Sequence, residues 1–600
     1  MKIIHHKKSV DKKEVASTPK NRSKMVYCVR HSQRFQSMFL VLILLNVLNL
    51  SSAEKQYPSV SVDYSASRDF SGSKINVHNV ATLQLKWYQN ITSYALCPPV
   101  EDRELNAIYV TDFLGNVYAF KKHDGTPIWQ ISLPTVLGIP SVFSRTPPVI
   151  IGEHLWMGTN SRLYNPYGTP APQPAAIPFV LDRRTGALVF KMSSVDDHPG
   201  AIFTGGPTYV KESDLLIWGV SSNEETFAYY EDAHGVPYPC CSFSGSIVGI
   251  QVSTHTLLWK VYTTTFPDQT IGSRPVGYPS ALLPFSGVAV WLSGPAVDTE
   301  KGYVYYGTGN NYLVPDVLRL CVDNVTESCA GQPNQGMCVA DGNLACYGAY
   351  QIDQNLAESL IVLSYVDGAI VKTMRMTNEL GYTIGCFRPP PFANCPATPG
   401  QDQDFGQALL LMHGGKPLRP VIVMNQKGGM TYTIDRSTYS ILYANQTVVG
   451  GVTGGHQWGS AFHGHTLLTT GSNSNAPPRP DKLLDGTTTL FGVLMAYDTK
   501  NDKWLWKVPD PAGIPKYSRP MGAVAYTNGV MFATSNAGNI YAYDAKTGTL
   551  LWNQAADGSS IVSGVAIGRR GIWVNTGYQY LNLYPSQHPR IAFYELQPHH

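Results

Sequence analysis

The chain has 600 residues and a formal charge of +3, with 54 Gly, 42 Pro and 35 Tyr but only 14% charged residues. That composition suits many short strands joined by turns and excludes a coiled coil or a largely disordered chain. The total charge hides an asymmetry: residues 1–36 carry +8 and the remainder −5, so no basic nucleic-acid-binding face is expected.

In chain order, the basic segment is followed by MFLVLILLNVLNLSSAE. Its apolar run 38–50 is short for a membrane span and fits the hydrophobic region of a signal peptide, with Ser51, Ser52 and Ala53 as small residues for cleavage. Residues 1–53 are therefore expected to be an export leader. The long basic region leaves open a signal anchor, or a start at Met25 or Met38. Nothing later in the chain is apolar over a membrane-spanning length. Sequons at Asn90, Asn324 and Asn445 fit an exported glycoprotein.

A thirteen-residue pattern then recurs. Its clearest copy is IYAYDAKTGTLLW at 540–552; others are VYAFKKHDGTPIW (117–129), PFVLDRRTGALVF (178–190), IVGIQVSTHTLLW (247–259), LIVLSYVDGAIVK (360–372), TYTIDRSTYSILY (431–443) and LMAYDTKNDKWLW (494–506). Each reads as strand, polar turn, strand, ending on a large and usually aromatic residue. Seven copies imply stacked four-stranded units. An eighth half-copy, NVATLQLKW, ends at Trp87 without a preceding strand, and the chain's end supplies one, IAFYEL at 591–596. The expected fold is an all-β, eight-bladed β-propeller over residues 57–600, its ring closed by strands from both termini. The final aromatics Trp87, Trp129, Trp259, Trp506 and Trp552 are read as packing between blades. Six of the ten cysteines crowd into 321–395. They predict disulfides pinning one long Cys-rich insertion at about 312–400, in an oxidising compartment.

In its ideal form, A-x-D-x-x-T-G-x-x-x-W, the pattern resembles the tryptophan-docking motif of propellers of the pyrroloquinoline quinone (PQQ) dehydrogenase family. GVSSNEE, YPCCSFSGS, VYYGTGNNY and QDFGQA look most like its polyvinyl-alcohol-dehydrogenase-like branch. The resemblance covers nearly all of 57–600. It implies PQQ and calcium at the ring axis, and an alcohol dehydrogenase-like activity on a small-molecule or polymeric alcohol.

Position by position, the resemblance makes Glu225 of VSSNEE a carboxylate ligand to calcium, with Glu224 as the fallback, and Asn310 of GTGNN an amide-oxygen ligand; both oxygens are hard donors. Bland readings of the two are a solvated loop charge and an Asn-Asn turn. Trp291 of AVWLSGP matches the tryptophan beneath the cofactor, or is core. DQDFGQA resembles D-x-W-D-[FY] with Gln403 in place of Trp, making Asp404 the general base and Asp402 its neighbour or alternative. Lys427 of NQKGGMTY would set a fixed positive charge beside the quinone oxygens, and Trp458 of GGHQWGSA would line the funnel. Adjacent Cys240 and Cys241 match a vicinal disulfide held against the quinone in some alcohol dehydrogenases. There the pair precedes the calcium glutamate, whereas here it follows Glu225. Two buried thiols, or two separate disulfides, are the other readings.

No C-x-x-C-H occurs, so no c-type haem site is expected and electrons must pass to an external acceptor. Two readings follow: a secreted PQQ- and calcium-dependent oxidoreductase, or a non-catalytic extracellular propeller that binds a glycan or a protein.

Overall fold

Each copy of the thirteen-residue pattern folds as the last two strands of an antiparallel sheet, four-stranded except at 201–262, where two short strands, Ala201–Ile202 and Thr208–Val210, share the first position. A computed structural model describes residues 61–598 other than 162–175, 233, 292–293, 389–393, 397–398, 452–453, 475–477, 515–517, 557–558 and 580–587. The leader and its proposed cleavage residues lie outside the described residues. In the copy at 540–552, strands Asn539–Asp544 and Leu550–Ala555 flank a turn tied by Asp544, whose Oδ1 accepts the N–H groups of Lys546 and Thr547 at 2.8 and 2.9 Å. Ile540, Tyr541, Ala542 and Tyr543 are all buried, because a neighbouring blade covers each face of the sheet.

Eight sheets arise in this way. They span residues 100–132, 149–191, 201–262, 296–375, 410–446, 461–509 and 525–555, here blades 1 to 7, and 566–596 joined by Leu83–Asn90, here blade 8. The eight blades form a β-propeller. As the split half-copy predicts, Leu83–Asn90 pairs antiparallel with Arg590–Leu596, from Leu83 opposite Leu596 to Asn90 opposite Arg590. This closure covers the edge of Arg590–Leu596 that would otherwise be open.

Blades dock through their final tryptophans. Trp87, Trp129, Trp259 and Trp506 each donate the indole N–H to a carbonyl of the next blade, those of Lys122, Arg183, Tyr365 and Ala545, at 2.9–3.2 Å. Each indole lies over the next blade's turn glycine: Gly125, Gly186, Gly368 or Gly548. A Cβ there would meet the ring at 2.6–2.9 Å, and φ of +72 or +73° makes a side chain strained in any case. Where the aromatic is not tryptophan, the glycine is absent too. Phe190 of blade 2 stacks on His255 of blade 3 at 4.4 Å, and His255 holds the glycine's place at φ +55°.

Strands alternate in direction, so two kinds of connection emerge at the same end of the ring: those from second to third strands, and those leading to the next blade. That end carries the long segments 223–245, 263–295, 308–358, 376–409, 447–460 and 472–492. The Cys-rich region departs from the expected single insertion. Helices Asp316–Cys329 and Gln335–Tyr350 form a hairpin joined by Cys321–Cys346 and Cys329–Cys338. The chain then returns to complete blade 4 with Ser359–Ser364 and Ile370–Arg375, and Cys386–Cys395 lies in the separate connection to blade 5. Among the described residues no helix is long and apolar enough to cross a membrane. Asn90 and Asn324 are exposed. Asn445 is half-buried and donates its Nδ2 to Asp502 at 2.6 Å and Tyr497 at 3.0 Å.

Candidate active site

All the sequence-predicted site residues sit on connections at that one end. Glu225 and the Cys240–Cys241 pair are on 223–245, Trp291 on 263–295, Asn310 on 308–358, Asp402 and Asp404 on 376–409, Lys427 in the blade 5 turn and Trp458 on 447–460. Glu225, Trp291, Asn310, Asp402, Asp404, Lys427 and Trp458 converge on one cavity of about 190 Å³. The two cysteines do not line it.

The acids and Lys427 form a connected group. Lys427 Nζ lies 2.7 Å from Asp402 Oδ2 and 3.9 Å from Asp404 Oδ2. Asp404 Oδ2 accepts the Trp291 Nε1–H at 2.8 Å, and its Oδ1 accepts the backbone N–H of Asn310. Trp291 packs edge-on to Trp458, with centroids 5.5 Å apart, and Lys427 Nζ lies 5.5 Å from the Trp291 centroid. The close fit needs Gly406, where a Cβ would meet the Trp291 ring at 2.3 Å. The Asn310 amide nitrogen donates to the carbonyls of Asn311 and Tyr382 at 2.8 and 2.9 Å, which leaves its oxygen unengaged by them.

Burial, then repulsion from Asp402, holds the Glu225 carboxyl well above its ordinary range, with Lys427 pulling the other way. Burial pushes Asp402 up to about 8 despite Lys427, with Asp404 adding repulsion. Burial also raises Asp404, opposed by Lys427, the Asn310 N–H and the Trp291 indole. Burial alone would lower Lys427, but Asp402, Asp404 and Glu225 overcome it and keep the ammonium above its usual value. Three carboxylates thus face one ammonium, an arrangement that favours a further cation. Among the described residues no group of three or more His, Cys, Asp or Glu side chains is arranged to hold a metal ion unaided.

Glu224, the fallback ligand, is fully buried on the other side of the helix Glu224–Phe227. It accepts the backbone N–H groups of Ser242 and Phe243 at 2.9 and 2.8 Å and the Tyr238 hydroxyl at 3.1 Å, so it anchors the chain just after the cysteine pair. The structure joins Cys240 to Cys241. Cys241 is buried in a cluster with Phe243, Ala289 and Tyr312, against which Cys240 and Trp291 pack. Ala289, Trp291 and Tyr312 line the cavity, so the pair sits one layer behind its wall instead of facing it.

Sequence reasoning missed Arg145. It lines the cavity, its guanidinium lies 5.7 Å from the Trp458 ring, and its Nε is buried with no hydrogen-bond partner. No motif surrounds it in SRTPPV, and only the closure of the ring brings blade 2 opposite blade 6. Gln457, next to Trp458, also lines the cavity, with its Oε1 buried and unpartnered.

A family model described as outer membrane protein assembly factor BamB matches residues 490–577. A polyvinylalcohol dehydrogenase of Pseudomonas sp is 25% identical over 395 residues, 64% of this chain and 52% of that protein. A second, from Sphingopyxis sp. (strain 113P3), is 24% identical over 496 residues, 80% of this chain and 64% of that protein. The chain therefore spans between about half and two thirds of the length of these relatives. The quinohemoprotein alcohol dehydrogenase of Comamonas testosteroni superposes with a TM-score of 0.62 at 17% identity, over 91% of this chain and 82% of that one, which shows a common fold. The chain is thus related in sequence to polyvinylalcohol dehydrogenases and shares the propeller fold of a quinohemoprotein alcohol dehydrogenase.

Proposed function

We propose that the chain is an exported quinoprotein oxidoreductase whose single catalytic domain, residues 57–600, oxidises the hydroxyl of an alcohol, polyol or polymer with PQQ and calcium and passes electrons to an external acceptor. The observation that carries this reading is the cavity at the ring axis. Three buried carboxylates outweigh Lys427 there, the Asn310 oxygen is left unengaged, and Asp402 Oδ1 is buried without a partner. A site whose three buried acids are short of positive partners, with spare oxygens, suits a hard divalent cation.

In this reading Glu225 and Asn310 hold calcium, the rest of its shell coming from outside the chain. PQQ, when bound, supplies the two-electron oxidation of the hydroxyl carbon. Trp291, braced by Asp404 and Trp458, gives a flat apolar floor that excludes water. Lys427 and Arg145 are fixed positive charges that orient an anionic, carbonyl-bearing group. Asp404 takes the proton from the alcohol oxygen, and Asp402 is the alternative base. The Cys240–Cys241 pair stiffens the layer behind Trp291. The relation to polyvinylalcohol dehydrogenases supports an alcohol substrate, and the leader supports export.

The test is an absorbance titration of purified protein with PQQ over a calcium series, followed by dye-linked alcohol oxidation. Calcium-dependent uptake with activity is expected. A protein that takes up no PQQ at any calcium concentration would be a glycan- or protein-binding scaffold instead.

A further inference from the structure

A second cavity, of about 840 Å³, opens beside blades 5 and 6. We propose that it is a non-catalytic subsite that holds a neutral, polyhydroxylated chain next to the axial cavity; the benefit of holding a chain there rests on the oxidoreductase reading.

The cavity shares its wall with the candidate active site. Gln401 and Gly428 line it, and each is one residue from a group in the axial cavity, Asp402 and Lys427. Its outer side is formed by Arg479 and 481–484, from a blade 6 insertion that the four-stranded unit does not require.

Three features of the wall suit hydroxylated chains. The first is Trp504. The blade 6 copy LMAYDTKNDKWLW carries two tryptophans, and Trp506 alone does the docking, donating to the Ala545 carbonyl. Trp504 is spare for that purpose and lines the cavity half-buried, its ring steadied edge-on by Tyr497 at 4.9 Å. A flat aromatic face stacks on the C–H face of a saccharide or polyol. The second is Asp481, 5% exposed, whose Oδ1 meets Lys507 Nζ at 2.7 Å while its Oδ2 is buried with no hydrogen-bond partner. Such an oxygen lacks a donor, and a hydroxyl is one. The third is a donor at the rim, Arg479, with no ion pair to it among the described residues; the Gln446 amide nitrogen is already spent on the carbonyls of Gly428 and Val448, at 2.8 and 2.6 Å, and leaves only its oxygen. Acceptors, a donor and an apolar platform recognise alternating hydroxyls.

The same chemistry occurs in a polysaccharide and in a synthetic 1,3-polyol, so both are used as probes. Unloaded protein is run by affinity electrophoresis in gels containing polyvinyl alcohol or dextran. Wild type is expected to be retarded by at least one, and Trp504→Ala to need about tenfold more polymer for the same retardation. Trp504→Phe keeps a platform and should stay near wild type, and equal melting temperatures exclude misfolding. Retardation by polyvinyl alcohol alone identifies the polyol, by dextran alone the saccharide. Because this readout needs no PQQ, it stands or falls apart from the oxidoreductase reading. In loaded enzyme, Trp504→Ala should raise KM for polymer about tenfold and leave kcat/KM for ethanol unchanged. Equal retardation of wild type and Trp504→Ala, or none of wild type by either polymer, overturns the proposal.

Discussion

Replacing Asp404 with asparagine tests the assigned base directly. The variant keeps the side chain's size but cannot take a proton, and losing a general base costs on the order of 10²–10⁴ in rate. The surroundings add a second loss. Asp404 receives two N–H donors, from Asn310 on one oxygen and from Trp291 at 2.8 Å on the other. Whichever way an asparagine turns, its NH₂ group faces a donor. A buried mismatch of that kind costs about 1–3 kcal/mol, and at about 1.4 kcal/mol per tenfold it displaces Trp291 or weakens substrate alignment by roughly another factor of 5–150. Asp402→Asn is the control. Asp402 uses one oxygen toward Lys427 at 2.7 Å and leaves the other buried without a partner. An asparagine there can keep its oxygen on Lys427 and place its NH₂ in the unused position. With dye-linked alcohol oxidation as the assay, Asp404→Asn should fall by about 10³ or more and Asp402→Asn by less than about tenfold. Both should still take up PQQ and calcium. If Asp402→Asn is the inactive variant and Asp404→Asn keeps more than about a tenth of the rate, the base is Asp402 and the reasoning above is refuted.

Glu225→Gln should raise the calcium concentration needed for half-maximal PQQ uptake, and excess calcium should partly restore its activity while leaving Asp404→Asn inactive. His456 is buried and hydrogen-bonded to Thr447 at 2.7 Å and to the Thr470 carbonyl at 2.9 Å, and burial lowers its pKa to about 4. Its folded value lies below the unfolded one, so the stability it contributes is complete above about pH 6.5 and drains away as pH falls toward 4, by about 3 kcal/mol in all; a melting-temperature profile over that range in His456→Gln should be flatter than in wild type. Gly548→Ala should destabilise the protein by about 3 kcal/mol, because φ is +72° and the new methyl group would lie 2.7 Å from Trp506; a melting temperature equal to wild type would contradict the docking account.

The propeller was legible because its repeat encodes local events: a period-two strand, an Asp-tied turn and a bulky residue at a fixed distance. Even the closure could be read, since Trp87 stands in register with no strand of its own before it. The helical hairpin was not read. Its cysteines gave spacing without pairing, and only the return of Ser359–Ser364 to blade 4 separates it from Cys386–Cys395. The neighbouring glutamates show another limit. Successive residues on a helix point about 100° apart, so a one-residue choice decides which carboxyl enters the axial cavity and which ties down the backbone, and no pattern in SSNEE makes that choice. Arg145 was invisible for a different reason: its place depends on two distant blades meeting, not on its neighbours in sequence.

The pairing of four docking tryptophans, Trp87, Trp129, Trp259 and Trp506, with the following blade's turn glycine bears on how such a ring can grow or be rebuilt. The unit written in the sequence is a blade, but the unit that interlocks is the seam between two. A duplicated blade would bring a tryptophan that must find a bare glycine ahead of it, and a glycine that must receive an aromatic from behind. Inserting or exchanging one repeat therefore changes two seams at once. The seam between blades 2 and 3, where Phe190 meets His255, shows the alternative solution: both partners differ together. Transplanted blades from other propellers should be chosen by the residues at their two borders, and blades sharing the same kind of seam should be interchangeable with the least repair.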